Sequence, residues 1–75
     1  MNAPLRLAIG GLGAIGMAVA QRVDSGALPG FVLTAVSARD EAKARAKIAT
    51  LTGKPALVGL GRLADEADVI LECVP

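Results

Sequence analysis

The chain has 75 residues and a formal net charge of +1, so it holds one domain at most, of a size that buries a modest share of its surface. With no basic run and no interleaved aromatics, it lacks the surface that nucleic acid needs, and no nucleic-acid partner is expected. Hydrophobic residues make up 53% and charged residues 20%, which argues against disorder and for a buried, folded segment.

The single aromatic ring is Phe31, so the core falls to Ala, Val, Leu and Ile, a composition suited to a parallel sheet covered on both faces. One cysteine, Cys73, and no histidine exclude an intrachain disulfide and a Cys/His zinc site within these residues, and a reducing cytoplasm is the expected location. No run reaches the roughly 18 apolar residues of a membrane span, so no membrane partner is expected.

In chain order, Leu5 to Ile9 alternates large apolar with smaller or polar residues and stops at glycine, which predicts a first strand. From Ala14 the period changes: Ile15, Ala18, Val19 and Val23 recur at helical spacing until Asp24-Ser25-Gly26 supplies a stop. The same opening also resembles a secretory signal, with Ala18-Val19-Ala20 as its cleavage site. Such a signal favours an unbroken apolar helix, and glycines at 10, 11, 13 and 16 weigh against it.

Leu28-Pro29-Gly30 is a second punctuation point, and Phe31 to Val36 is a second strand. Ser37 or Asp40 would cap a helix over Glu41 to Thr52, in which Glu41 pairs with Arg45 one turn on. Gly53 ends that helix and Pro55 forbids its continuation. Ala56 to Val58 reads as a short third strand, Gly59 to Gly61 as a loop, Arg62 to Ala67 as one or two helical turns, and Asp68 to Cys73 as a fourth strand.

Strand and helix alternate throughout, the rhythm of a parallel sheet with right-handed crossovers. The expected fold class is α/β, a Rossmann-type doubly wound sheet. Because the sequence stops just after a strand that calls for a covering helix, residues 1–75 are expected to be the N-terminal part of a larger dinucleotide-binding domain, with the substrate domain outside them.

The glycines carry the chemistry. Gly11-Leu12-Gly13-Ala14-Ile15-Gly16 is G-x-G-x-x-G between a strand and a helix. Gly11 permits the tight turn, Gly13 removes a side chain that would hold a pyrophosphate off the backbone, and Gly16 lets the helix lie close to the sheet. The helix then turns its free N–H groups and positive dipole end toward the anion. A lone motif of this kind is weak, but the flanking strand, the helix and the second strand about 20 residues on stand where the fingerprint requires them. A P-loop is rejected, since Met17-Ala18 stands where Lys-Ser/Thr must be.

An NAD site usually has Asp or Glu at the end of the second strand, and here the sequence is Ser37-Ala38-Arg39. A hydroxyl and a guanidinium there favour NADP over NAD. The open alternatives are that Arg39 is a solvated charge, or that Asp40 serves a ribose. The doubly wound order puts the first and fourth strands side by side, so Cys73, Val74 and Pro75 are expected to form the wall opposite the glycines. Cys73 reads as a small hydrophobe rather than a nucleophile, and no catalytic residue is assigned.

The stretches LRLAIGGLGAIGMAVAQRV, LTAVSARDEAKARA and ADEADVILECVP together resemble the N-terminal part of the L-aspartate dehydrogenase family. Homoserine dehydrogenases, dihydrodipicolinate reductases and the glucose-fructose oxidoreductase group share that nucleotide half. The resemblance implies NAD(P)-dependent oxidative deamination of L-aspartate through iminosuccinate to oxaloacetate, in a homo-oligomer built by later regions. It also implies Gly11, Gly13, Ala14, Ile15 and Gly16 as cofactor residues, with Ser37, Ala38 and Arg39 at the adenosine end. The family's catalytic histidine has no counterpart here. A non-catalytic dinucleotide-sensing module is the alternative of a different class.

Overall fold

In the computed structural model, which describes residues 4–73, the chain runs β1 (Leu5–Gly10), α1 (Ala14–Asp24), β2 (Phe31–Ser37), α2 (Glu41–Ile48), β3 (Ala56–Leu57), a 3-10 helix (Leu60–Asp65) and β4 (Val69–Glu72). The strands form one parallel sheet in the order β3-β2-β1-β4. Each crossover therefore returns the chain to the same end of the sheet. The sheet grows outward from β1 in both directions, so the β1/β4 boundary is where the winding reverses. This is the Rossmann-type arrangement expected from the sequence.

Alternation along β1 divides the core. Leu7 and Ile9 face α1 and α2 and pack with Ala20, Val23, Ala44 and Leu51. Ala8 faces the other way, against Ala35 and Leu63 of the 3-10 helix. Ile9, Val36, Leu51 and Leu63 are the largest fully buried side chains, each contributing about 1.5–3 kcal/mol by leaving water.

The β1/β2 register shifts once: Leu7 pairs with Leu33, whereas Ala8 pairs with Ala35. Thr34 is the extra residue of this bulge. Its hydroxyl donates to the Glu66 carbonyl at 2.6 Å and lies 3.3 Å from the carbonyl of Leu7, where the ladder is interrupted. Past the bulge, Val36 joins Leu33 in the core under the helices, and Ser37 faces the 3-10 helix side.

Several expectations are corrected. α2 ends at Ile48, not Thr52. Its last turn tightens into bonds from Thr50 N to Lys47 O and from Leu51 N to Ile48 O, because the Asp24 carboxylate accepts from the amides of Thr52 and Gly53, both at 2.8 Å. Asp40, not Ser37, caps α2, accepting from Lys43 N at 3.0 Å. Glu41 and Arg45 do not pair: among the described residues the ion pairs are Arg6–Asp68 and Arg62–Asp65.

The 3-10 helix begins at Leu60, inside the expected loop. β4 is shorter than expected by one residue at each end, Val69–Glu72 in place of Asp68 to Cys73. It is also uncovered, with Val69, Ile70 and Leu71 at 39%, 45% and 38% exposure. Among the described residues no helix is long and apolar enough to cross a membrane.

Candidate dinucleotide site

β1 delivers the chain to the carboxyl edge of the sheet, where Gly11 turns it at φ +95°, a conformation that L side chains rarely adopt. The Gly11 amide donates to Ser37 O at 3.0 Å, fastening the turn to the end of β2, and Met17 N donates to Gly13 O at 2.8 Å, opening α1. A Cβ at Gly16 would run into the carbonyl oxygen of Gly11, whereas one at Gly13 would meet nothing within 4 Å. Gly16 therefore serves close packing, and Gly13 keeps open ground clear. Gly10, outside the motif, has a third purpose: its missing Cβ makes room for Leu60 and Leu63 at 3.2 and 3.4 Å.

Gly13 is the N-cap of α1, with no side-chain cap and no acidic residue in the first turn. The amides of Ala14, Ile15 and Gly16 thus have no intrahelical acceptor, and the positive end of the helix dipole is uncompensated by side chains. A backbone cradle of this form fits a phosphate group.

Three cavities meet around it. One of 650 Å³ lies between Gly13, Ala14 and Ile15 on one side and Leu71, Glu72 and Cys73 on the other. Another of 300 Å³ has Gly11, Leu12 and Gly13 facing Ala38, Arg39 and Asp40. A third, of 280 Å³, is bordered by Gly11, Ser37, Ala38 and Arg39 together with Val58 and Leu60.

The expected residues Gly11 to Ile15, Ser37 to Arg39 and Cys73 are thereby brought to one mouth. Gly16 is buried beneath it and lines none of the three. Ser37 is only 5% exposed. Cys73 is half-buried, packs against the main core, and ties β4 to β1 by a 2.7 Å bond from its amide to Gly10 O. Val74 and Pro75 lie outside the described residues.

Sequence reasoning missed two lysines. Lys43 and Lys47 both line the 300 Å³ cavity, and the Lys47 ammonium donates to Leu12 O at 2.8 Å. Their spacing of four residues, which sets side chains on one helix face, was the available signal. Arg39 is exposed and, among the described residues, takes part in no side-chain hydrogen bond or ion pair. Among the described residues there is no group of three or more His, Cys, Asp or Glu able to hold a metal.

Over 74 residues, 99% of this chain, the sequence is 39% identical to an L-aspartate dehydrogenase of Bradyrhizobium diazoefficiens. The resemblance to the L-aspartate dehydrogenases is borne out. A second relative, L-aspartate dehydrogenase 3 of Bordetella bronchiseptica, is 41% identical over 71 residues, 95% of this chain. The chain spans about a quarter of the length of these dehydrogenases, 26% in each case, matching their N-terminal part. No protein-family model matches the chain, and no solved structure does.

Proposed function

We propose that residues 1–75 are the N-terminal part of the dinucleotide-binding domain of an NAD(P)-dependent L-aspartate dehydrogenase, with NADP as the preferred cofactor. The observation that carries this reading is the glycine cradle: a turn that only glycine adopts easily, a cap without a side chain, and first-turn amides with no partner of their own, all at the winding reversal of the sheet.

In the proposed reaction L-aspartate loses a hydride from Cα and a proton from nitrogen to give iminosuccinate, and water converts the imine to oxaloacetate and ammonium. The dinucleotide, when bound, accepts the hydride. This chain's residues orient and hold it. The amides of Ala14, Ile15 and Gly16 face the pyrophosphate, Cys73 borders the nicotinamide side, and Ser37, Ala38 and Arg39 border the adenosine. No histidine occurs in the 75 residues, so proton transfer and substrate choice belong to other parts of the protein. The small-molecule partner is an amino or keto acid, and a cytoplasmic homo-oligomer is the corresponding assembly.

Preference for NADP rests on Arg39, which borders two of the cavities with its charge uncommitted. Asp40, the residue that would favour NAD, has one carboxylate oxygen engaged as the cap of α2. Calorimetric titration of the intact protein with NADPH and NADH, for wild type and Arg39→Ala, tests this assignment. The substitution is expected to weaken NADPH about tenfold or more and to leave NADH nearly unchanged. An unchanged ratio of the two affinities sinks the NADP assignment. Consumption of NADPH in the presence of oxaloacetate and ammonia tests the activity, and binding without turnover would favour a sensing module.

A further inference from the structure

We infer that Lys47 is a positioning residue for the glycine turn: by holding the Leu12 carbonyl it fixes the direction of the Gly13 amide that the pyrophosphate meets. This rests on the dinucleotide reading above and deepens it. Lys47 lies in the last turn of α2, far along the helix from the site. Side chains on a helix lean toward its N-terminus, and the lysine stem runs back along α2 until its ammonium reaches Leu12 O at 2.8 Å. The residue is half-buried, and Leu12 is 4% exposed, so the bond is formed partly out of water.

The consequence follows from peptide geometry. In a trans peptide the carbonyl of one residue and the N–H of the next point in opposite directions. With Leu12 O drawn toward the Lys47 ammonium, the Gly13 N–H is turned away from it, at a residue that borders both the 650 Å³ and the 300 Å³ cavity. A peptide flanked by glycine is otherwise easily rotated, since glycine tolerates both signs of φ. Rotation would replace an amide donor at the anion by a carbonyl oxygen, which repels it. The ammonium also sets a positive charge next to the cradle, in the cavity that Arg39 and Lys43 share. Because the turn would meet the pyrophosphate common to both cofactors, Lys47 acts on NADH and NADPH alike, whereas Arg39 acts on NADPH.

The test is calorimetric titration of the intact protein with NADH and NADPH. Lys47→Met is expected to weaken both by a similar factor of about ten, and Lys47→Arg, which keeps charge and donor, to restore most of the loss. Equal affinities for wild type and Lys47→Met would overturn the inference, as would a loss confined to NADPH, or a loss that Lys47→Arg does not recover. Should Lys47→Met fail to fold, Lys47→Gln replaces it, with the same loss expected.

If wild type itself binds neither dinucleotide, the functional reading fails, and amide exchange of the unliganded protein judges the anchor separately. Faster exchange at Gly13 and Ala14 in Lys47→Met than in wild type supports it, and identical exchange overturns it.

Discussion

At the amino ends of the strands, polar groups are consumed within the chain. Asp68 accepts from the Arg6 amide at 2.9 Å and from its guanidinium at 3.0 Å, and Asp24 clamps the amides of Thr52 and Gly53 at 2.8 Å. Leu5 N reaches Gly30 O at 2.8 Å. At the carboxyl ends the inventory is reversed. The first turn of α1 has no side-chain cap, Arg39 is exposed without a partner among the described residues, and three cavities meet. One end spends hydrogen bonds on holding strands and helices together, and the other leaves donors and positive charge free at a cost in stability, as a ligand site does.

The strongest way to test that division is to add one methyl group at each of two glycines of the carboxyl end, one closely packed and one facing open space. Gly16→Ala puts a Cβ against the backbone of Gly11, which cannot yield without moving the turn. Overpacking of this kind costs about 1–3 kcal/mol, visible as a lower unfolding midpoint of the intact protein, and dinucleotide affinity should fall with it.

Gly13→Ala is the counterpart. At φ −82° alanine fits the backbone, and a Cβ there meets nothing within 4 Å. The reduced freedom of the unfolded chain and the poorer cap roughly offset each other, leaving stability within about 0.5 kcal/mol. Affinity for either dinucleotide should nevertheless drop, because the methyl group occupies the ground the pyrophosphate needs. If Gly13→Ala destabilised the fold as much as Gly16→Ala, the carboxyl end would be structural after all.

Much of the carboxyl end was legible in the sequence, because glycine is the residue whose absence of a side chain is itself the signal. The turn at Gly11, the start of α1 at Ala14 and the neighbourhood of Ser37 to Arg39 follow from spacing alone, and the placing of the first strand beside the fourth follows from the doubly wound fold class. What was hidden depends on contacts between distant residues. α2 stops early because Asp24, 28 residues before Thr52, captures the amides beyond it. The bulge at Thr34 has no mark in a strand that alternates well enough without it, yet it decides which face Val36 and Ser37 occupy. The need for glycine at position 10 comes from Leu60 and Leu63, which the 3-10 helix brings over it. Lys47 drew no expectation, since nothing local says that its stem turns back toward Leu12.

The smallest expected effect belongs to the amino end and is read against pH. Amide donation from Thr52, then from Gly53, holds Asp24 below the ordinary carboxylate value of 3.8. The hydrogen bonds from the Arg6 side chain and backbone do the same for Asp68. A carboxylate depressed in the folded state stabilises the fold fully above its unfolded value, and that contribution is lost as pH falls through the lower folded value. Stability of the intact protein should therefore be flat in these two groups above pH 3.8 and decline below it.

Asp24→Asn and Asp68→Asn should each lower the unfolding midpoint slightly at neutral pH and flatten the acid decline. Salt separates the pair. The Arg6–Asp68 bridge, with side chains 50% and 41% exposed, is screened, so the Asp68→Asn effect should shrink in high salt. Asp24 is held mainly by neutral amides, with Lys54 the smallest contribution, so most of its effect should persist there. An acid profile in which both variants retain the wild-type slope would mean that these carboxylates do not hold the amino end, and the contrast between the two ends would be lost.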